Sequence, residues 1–271
     1  MGPLLRVSAC ALMIFGCAQI EESKQENDLW ADPAGFALSS ATFVVNEEFL
    51  TFAGERLGVP GLGSRSVLYV GPAEVALAQL TLQSVITPGL ISSKEKKLQR
   101  AADVILESFG PSIKDIPLRE IYTSLIAKSE SNAPTYQVLL EGSAEISQGA
   151  DTVVLNTRAA IRDTRGDHTL RKIHIAAIGK LDAQVLDLSA ETKRVTLTNN
   201  FSELGQLTGT VLMDFYASIR KKCGQQTVNK YRRGEREQVL LARKCESIEH
   251  WAVFYSDHQG FTVFPSSWLQ I

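Results

Sequence analysis

The stretch DTVVLNTRAAIRD, residues 151–163, alternates its side chains: Val153, Leu155, Thr157, Ala159 and Ile161 share one face, Asn156, Arg158 and Arg162 the other. A period of two over this length marks a strand with one buried and one wetted face. The same period runs through TYQVLLEGSAEIS (135–147) before it and RKIHIAAIGKL (171–181) after it. Gln148-Gly149-Ala150 and Thr164-Arg165-Gly166-Asp167 separate the three runs, as expected of successive antiparallel strands. AQVLDL (183–188) and RVTLTN (194–199) extend the meander in this reading.

Towards the N-terminus, FALSSATFVVNEEFLTF (36–52) is rich in β-branched and aromatic residues and predicts one or two strands. GERLGVPGLGSRS (54–66) is a loop full of turn residues, and VLYV (67–70) is a further strand. Gly61-Leu62-Gly63 is plain turn chemistry, because a dinucleotide fingerprint needs a third glycine and a helix behind it. EVALAQLTLQSVI (74–86) fits strand and helix equally. Ser92-Ser93-Lys94-Glu95 is a capping box, and Leu98, Ala101, Ala102, Ile105, Leu106 and Phe109 follow at helical spacing until Gly110-Pro111. A second helix is expected from Pro117 to Lys128, with Leu118, Ile121, Tyr122 and Leu125 on one face.

Towards the C-terminus, Asn200 and Glu203 open a long helix striped by Phe201, Leu204, Leu207, Val211, Leu212, Phe215 and Ile219. Arg220, Lys221 and Lys222 suit its negative end, and Gly224 stands where a left-handed cap is expected. Gly205 and Gly209 lower helix propensity, which points to close approach of another backbone, with the sheet as expected partner. A short helix is read around Glu235 to Lys244, and WAVFYS and FTVF within 251–264 predict a terminal hairpin. Segregated strands and helices predict an α+β domain, a mainly antiparallel sheet covered by two to four helices.

The first residues carry a different message. Met1 to Arg6 has one positive charge, Val7 to Phe15 is uncharged and too short to span a bilayer, and Ile14-Phe15-Gly16-Cys17 ends the run. These four residues resemble the lipobox of bacterial lipoproteins, with Phe15 bulkier than the usual residue there. The resemblance implies removal of residues 1–16 and a covalent lipid on Cys17, the sole cofactor-like group expected. Ala18 in second place implies the outer membrane, facing the periplasm. Ala18 to Ala31, with Glu21, Glu22, Glu26 and Asp28, cannot bury a core and is expected to be a flexible tether. Such a segment averages ~20 Å end to end and stretches to ~45 Å. The domain expectation is therefore signal segment 1–16, lipid-attached tether 17–31 and globular domain 32–271, with 32–130 and 131–271 as conceivable halves. The element order behind a lipobox is also similar to that of small α+β envelope lipoproteins that act as accessory or assembly factors.

Acylating Cys17 leaves Cys223 and Cys245, and in an oxidising compartment a disulfide is the expected use of that pair. A catalytic thiol or a metal pair is the weaker alternative, since the spacing is not CxxC and no histidine stands at ligand spacing. Hydrophobic residues at 44% with charged residues at 21% describe a chain able to build a core.

Chemistry is sparse. The sequence contains no GxSxG, HExxH, P-loop, EF-hand or complete GxGxxG motif. His174 lies between isoleucines in a strand, and His168 in a turn. Ser256-Asp257-His258 cannot form a triad from adjacent positions and reads as hairpin-turn chemistry. No catalytic or metal-binding residue is assigned. One electrostatic asymmetry stands out: Arg220, Lys221, Lys222, Lys230, Arg232, Arg233, Arg236, Arg243 and Lys244 gather in one segment against Glu235 and Glu237, in a chain of net charge −2. These nine residues are candidate contacts for an anionic lipid, glycolipid or acidic envelope protein, with a solvated face the bland alternative. Tyr231 is the segment's one aromatic residue, so nucleic acid is not expected. The expected function is a lipid-anchored, non-enzymatic binding, accessory or assembly protein of the cell envelope. A periplasmic hydrolase of envelope polymers is the alternative.

Overall fold

The computed structural model describes residues 38, 41–54, 67–68, 100, 102–127, 136–164, 169–233, 236–257 and 260–270. In chain order come β1 (Ala41–Val45), β2 (Thr51–Gly54), β3 (Val67–Leu68), helical residues 102–109 (α1), a 3-10 turn Gly110–Ile113, α2 (Leu118–Ile121) and α3 (Thr123–Ala127). Then follow β4 (Tyr136–Ile146), β5 (Thr152–Asp163), β6 (Thr169–Lys180), a 3-10 turn Ala183–Asp187 and α4 (Ala190–Thr210). A π-helical turn (Val211–Phe215) and a 3-10 turn (Tyr216–Ser218) lead to α5 (Ile219–Lys222), β7 (Cys223–Arg233), β8 (Arg236–Cys245), β9 (Trp251–Ser256) and β10 (Gly260–Pro265). The capping box at 92–95, the segment 74–86 and residues 1–37 lie outside the described residues.

The ten strands form one mixed sheet in the order β1-β4-β5-β6-β10-β9-β8-β3, with β2 also on β4 and β7 on β8. The α+β expectation is met in a sheet-dominated form. β4, β5 and β6 are the antiparallel meander that the period-two runs predict. β1 and β2 run parallel to β4, and β10 runs parallel to β6. β1 and β2 together make one broken strand along β4, interrupted where Leu50 N–H reaches Ile116 O and Leu118 N–H reaches Glu48 O.

The turn between β4 and β5 is held by Ser147. Its Oγ accepts from the N–H groups of Asp151 and Thr152 and donates to Asp151 Oδ1 at 2.5 Å. The main core lies between the helices and the face bearing Val138, Leu140, Val153, Leu155, Ile175 and Val263. The opposite face, expected to be wetted, is so only in part. At one end Val154, Ile178, Phe254 and Phe264 form a second core with Tyr231, Leu240 and Ala242, because the β7–β8 hairpin curls over that face. Tyr231 stacks on Phe264 at 4.2 Å between ring centroids.

Five readings are corrected. AQVLDL is a 3-10 turn capped by Asp182, and RVTLTN lies inside α4. That helix starts not at Asn200 but after Ser189, whose Oγ accepts from Thr192 N–H, so the cap and the stripe of Leu197, Phe201 and Leu204 override the β-branched residues between. Glu235 to Lys244 is not helical: Arg236–Cys245 is a strand paired along β7. Gly224 is no helix cap, since Cys223 already has extended backbone and the chain passes directly into β7. Finally, the close backbone neighbour of Gly205 is α2, not the sheet: a Cβ there would lie 2.1 Å from Ile121 O.

Candidate functional site

The basic segment is a β-hairpin clamped at both ends. At its base Cys223 and Cys245 are cross-strand partners joined by a disulfide. At its tip Arg233, 8% exposed, donates from Nε and Nη2 to Thr152 Oγ1 at 3.0 and 2.9 Å. Between the clamps, Tyr231 O–H donates to Gln238 Oε1, and Gln270 N–H reaches Lys230 O, which ties the C-terminal segment to β7.

Strand alternation divides the cations rather than pooling them. Lys230, Arg232 and Arg243 fall on one face; Arg233 and Lys244 fall on the other. Several already have partners within the protein, at its surface. Lys230 pairs with Glu237 at 3.1 Å, Arg243 pairs with Asp257 at 3.0 Å, and Lys222 stands 4.6 Å over the Phe215 ring. Lys221, Lys230, Arg232 and Lys244 are exposed, whereas Arg220 belongs to α5 and Arg236 opens β8. The exposed outer face also carries an apolar pair, Val228 and Leu241, directly opposite one another.

A cavity of about 240 Å³ opens beside the hairpin tip, lined by Asp151, Thr152, Lys180, Arg232, Ser267 and Trp268. Of these, the sequence reading singled out only Arg232. Thr152 opens β5 and Lys180 closes β6 as direct cross-strand partners, a proximity that the hairpin register encodes. Arg232 and Trp268 arrive only through the curl of β7–β8 and the C-terminal turn, for which the sequence carries no local signal. Trp268 is held in line with Phe264, their rings 16° from parallel.

The other candidates stay apart. Ser256 ends β9, and the Asp257 carboxylate is engaged by Arg243, which fits turn chemistry; His258 and His168 lie outside the described residues. His174 is buried on the far face opposite Arg158. Among the described residues no group of three or more His, Cys, Asp or Glu is placed to hold a metal ion, and no helix is long and apolar enough to cross a membrane. The fold and cavity define a sheet-dominated α+β protein with a disulfide-clamped basic hairpin. No family model, curated protein or solved structure matches this chain.

Proposed function

We propose that this is a lipid-anchored protein of the bacterial cell envelope, held to the outer membrane through Cys17, that binds an anionic envelope component without catalysing a reaction. In this reading helices cover one face of a mainly antiparallel sheet, and the β7–β8 hairpin remains available for contact. The observation that carries it is the hairpin itself: disulfide at the base, Arg233 on Thr152 at the tip, exposed Lys230 and Lys244 between them on opposite faces, and exposed Lys221 just ahead of the first cysteine. Cations held on a clamped strand pair lose little freedom on contact, so their attraction to anionic headgroups is not offset by ordering. Val228 and Leu241 give the face that carries Lys230 an apolar centre for the lipid boundary.

Two measurements test the reading. The mature N-terminal peptide from bacterial membranes should begin at an acylated Cys17 and lose the lipid in Cys17→Ser; an unmodified terminus elsewhere ends the anchoring proposal. Separately, a chain starting at Ala18 should sediment with phosphatidylcholine vesicles containing phosphatidylglycerol but not with phosphatidylcholine alone. Added salt, and the K221E/K244E variant, should each release it. Equal binding to both vesicle types would remove the electrostatic contact.

A further inference from the structure

We propose that the cavity at the hairpin tip binds a sugar phosphate, a reading that rests on the anionic partner proposed above and names its chemistry. Lys180 and Arg232 line this cavity, and neither has an ion-pair partner among the described residues. Glu237, cross-strand neighbour of Arg232, gives its carboxylate to Lys230 instead. Thr152 adds a third donor. Its Oγ1 accepts both bonds from Arg233, which fills the lone pairs of a hydroxyl and leaves its proton to donate. That proton meets no acceptor among the described residues. Two cations and this hydroxyl call for a ligand rich in anionic oxygen, a phosphate first of all.

The remaining wall narrows the class. Trp268 presents an indole whose orientation is fixed by stacking on Phe264, and a flat aromatic face receives the apolar face of a pyranose ring. Asp151, its carboxylate already oriented by Ser147, is an acceptor suited to ring hydroxyls and repels a second anionic group. A volume of about 240 Å³ holds one ring with one charged substituent, below the ~300–1,000 Å³ of sites for drug-sized molecules. Arg233 and Thr152, both at most 8% exposed, hold the site together before any ligand arrives.

The test is titration calorimetry on the full chain purified in detergent, with α-glucose 1-phosphate, methyl α-glucoside and inorganic phosphate as probes. Glucose 1-phosphate should bind, inorganic phosphate at least tenfold more weakly, and the uncharged glucoside not at all. Lys180→Met and Arg232→Met should each weaken glucose 1-phosphate at least tenfold, and Trp268→Leu should bring it down to the level of phosphate. Lys180 is exposed, so its variant should fold normally. No binding of glucose 1-phosphate, binding indifferent to Lys180→Met, or equal affinity for phosphate overturns the proposal. Phosphatidylcholine vesicles carrying lipid A separate the sources. Displacement of glucose 1-phosphate assigns the site to a glycolipid headgroup, and its persistence assigns the site to a free sugar phosphate. The two readings fail separately, because K221E/K244E, which leaves the Lys230–Glu237 pair intact, reports on the hairpin and Lys180→Met on the cavity.

Discussion

Arg233 Nε and Nη2 converge on the single hydroxyl oxygen of Thr152, a contact between residues 81 apart that fastens the hairpin tip to the start of β5. A buried guanidinium is costly to desolvate, so the contact matters most when one partner is removed. Thr152→Val keeps the shape and deletes the acceptor; it should cost about 2 kcal/mol in urea unfolding. Arg233→Met should cost a similar amount, and the double variant less than the sum of the two. A Thr152→Val cost near zero would mean that the Thr152 hydroxyl adds nothing to what already holds the hairpin down.

At the other end of the hairpin the disulfide closes a loop between cysteines 22 positions apart. Restricting the unfolded chain over that length is worth about 3 kcal/mol in the chain-entropy account. The C223S/C245S variant should therefore unfold at markedly lower denaturant concentration, with a steeper relative loss than any single surface change. An unchanged midpoint would show that packing around Cys245 and Tyr255 fixes the strand pair unaided.

The hairpin also shows where sequence reading reached its limit. β4, β5 and β6 were legible because the face packed on the helices takes an apolar residue at every second position, as at Val138, Leu140, Val153, Leu155, Ile173 and Ile175. In REQVLLARKC the residues are good helix formers, yet β7 and β9 on either side hold them extended, and pairing partners far along the chain leave no local mark. The β-branched Val195, Thr196 and Thr198 misled in the opposite direction, inside a helix set by its cap and apolar stripe. Of the cavity, Thr152 and Lys180 follow from the hairpin register, while Trp268 and Arg232 follow only from the curl of the sheet.

Gly205 tests the helix contact that the sequence assigned to the wrong partner. Alanine there gains up to about 1 kcal/mol of helix propensity, but its Cβ would sit 2.1 Å from Ile121 O, and backbone cannot rotate away. Gly205→Ala should be net destabilising by about 2 kcal/mol. Gly209→Ala is the control, since its Cβ would meet the flexible Leu125 Cδ1 at 3.4 Å. It should be near neutral, and similar costs at both positions would argue against the α2 contact.

Glu249 offers a gain. Ile248 and Trp251 exchange backbone hydrogen bonds around the two-residue turn Glu249-His250, and Glu249 has φ +50°. Positive φ at the first central residue alone is the pattern of a type II′ turn, where glycine is preferred. The Glu249 side chain is 83% exposed, so replacing it removes little besides the strain. Glu249→Gly should stabilise the protein by about 0.5 kcal/mol, the relief of left-handed strain less the extra entropy of unfolded glycine. A lower melting temperature would mean that the turn tolerates glutamate without strain.

Tyr122 couples the helices to the sheet through a hydroxyl. Its Oη lies 2.7 Å from Thr157 Oγ1, both side chains are fully buried, and Gly142, cross-strand from Thr157, leaves the room: a Cβ there would be 3.0 Å from Tyr122 Oη. Burial foremost, and the charge of Glu47 last, push the Tyr122 ionisation well above its ordinary range, against a smaller opposing effect of the Thr157 bond. The native state therefore keeps its proton where the unfolded chain releases one. The contribution is intact below the unfolded pKa of about 10 and is lost as pH rises above it. Tyr122→Phe should remove this part of the alkaline decline and, at neutral pH, cost about 1 to 2 kcal/mol by stranding the Thr157 hydroxyl. Adding Thr157→Val should recover part of that loss, because no polar group then lacks a partner. Denaturant midpoints of the four proteins between neutral pH and pH 11 decide it, and a Tyr122→Phe curve parallel to that of the wild type would show that the phenol does not titrate with unfolding.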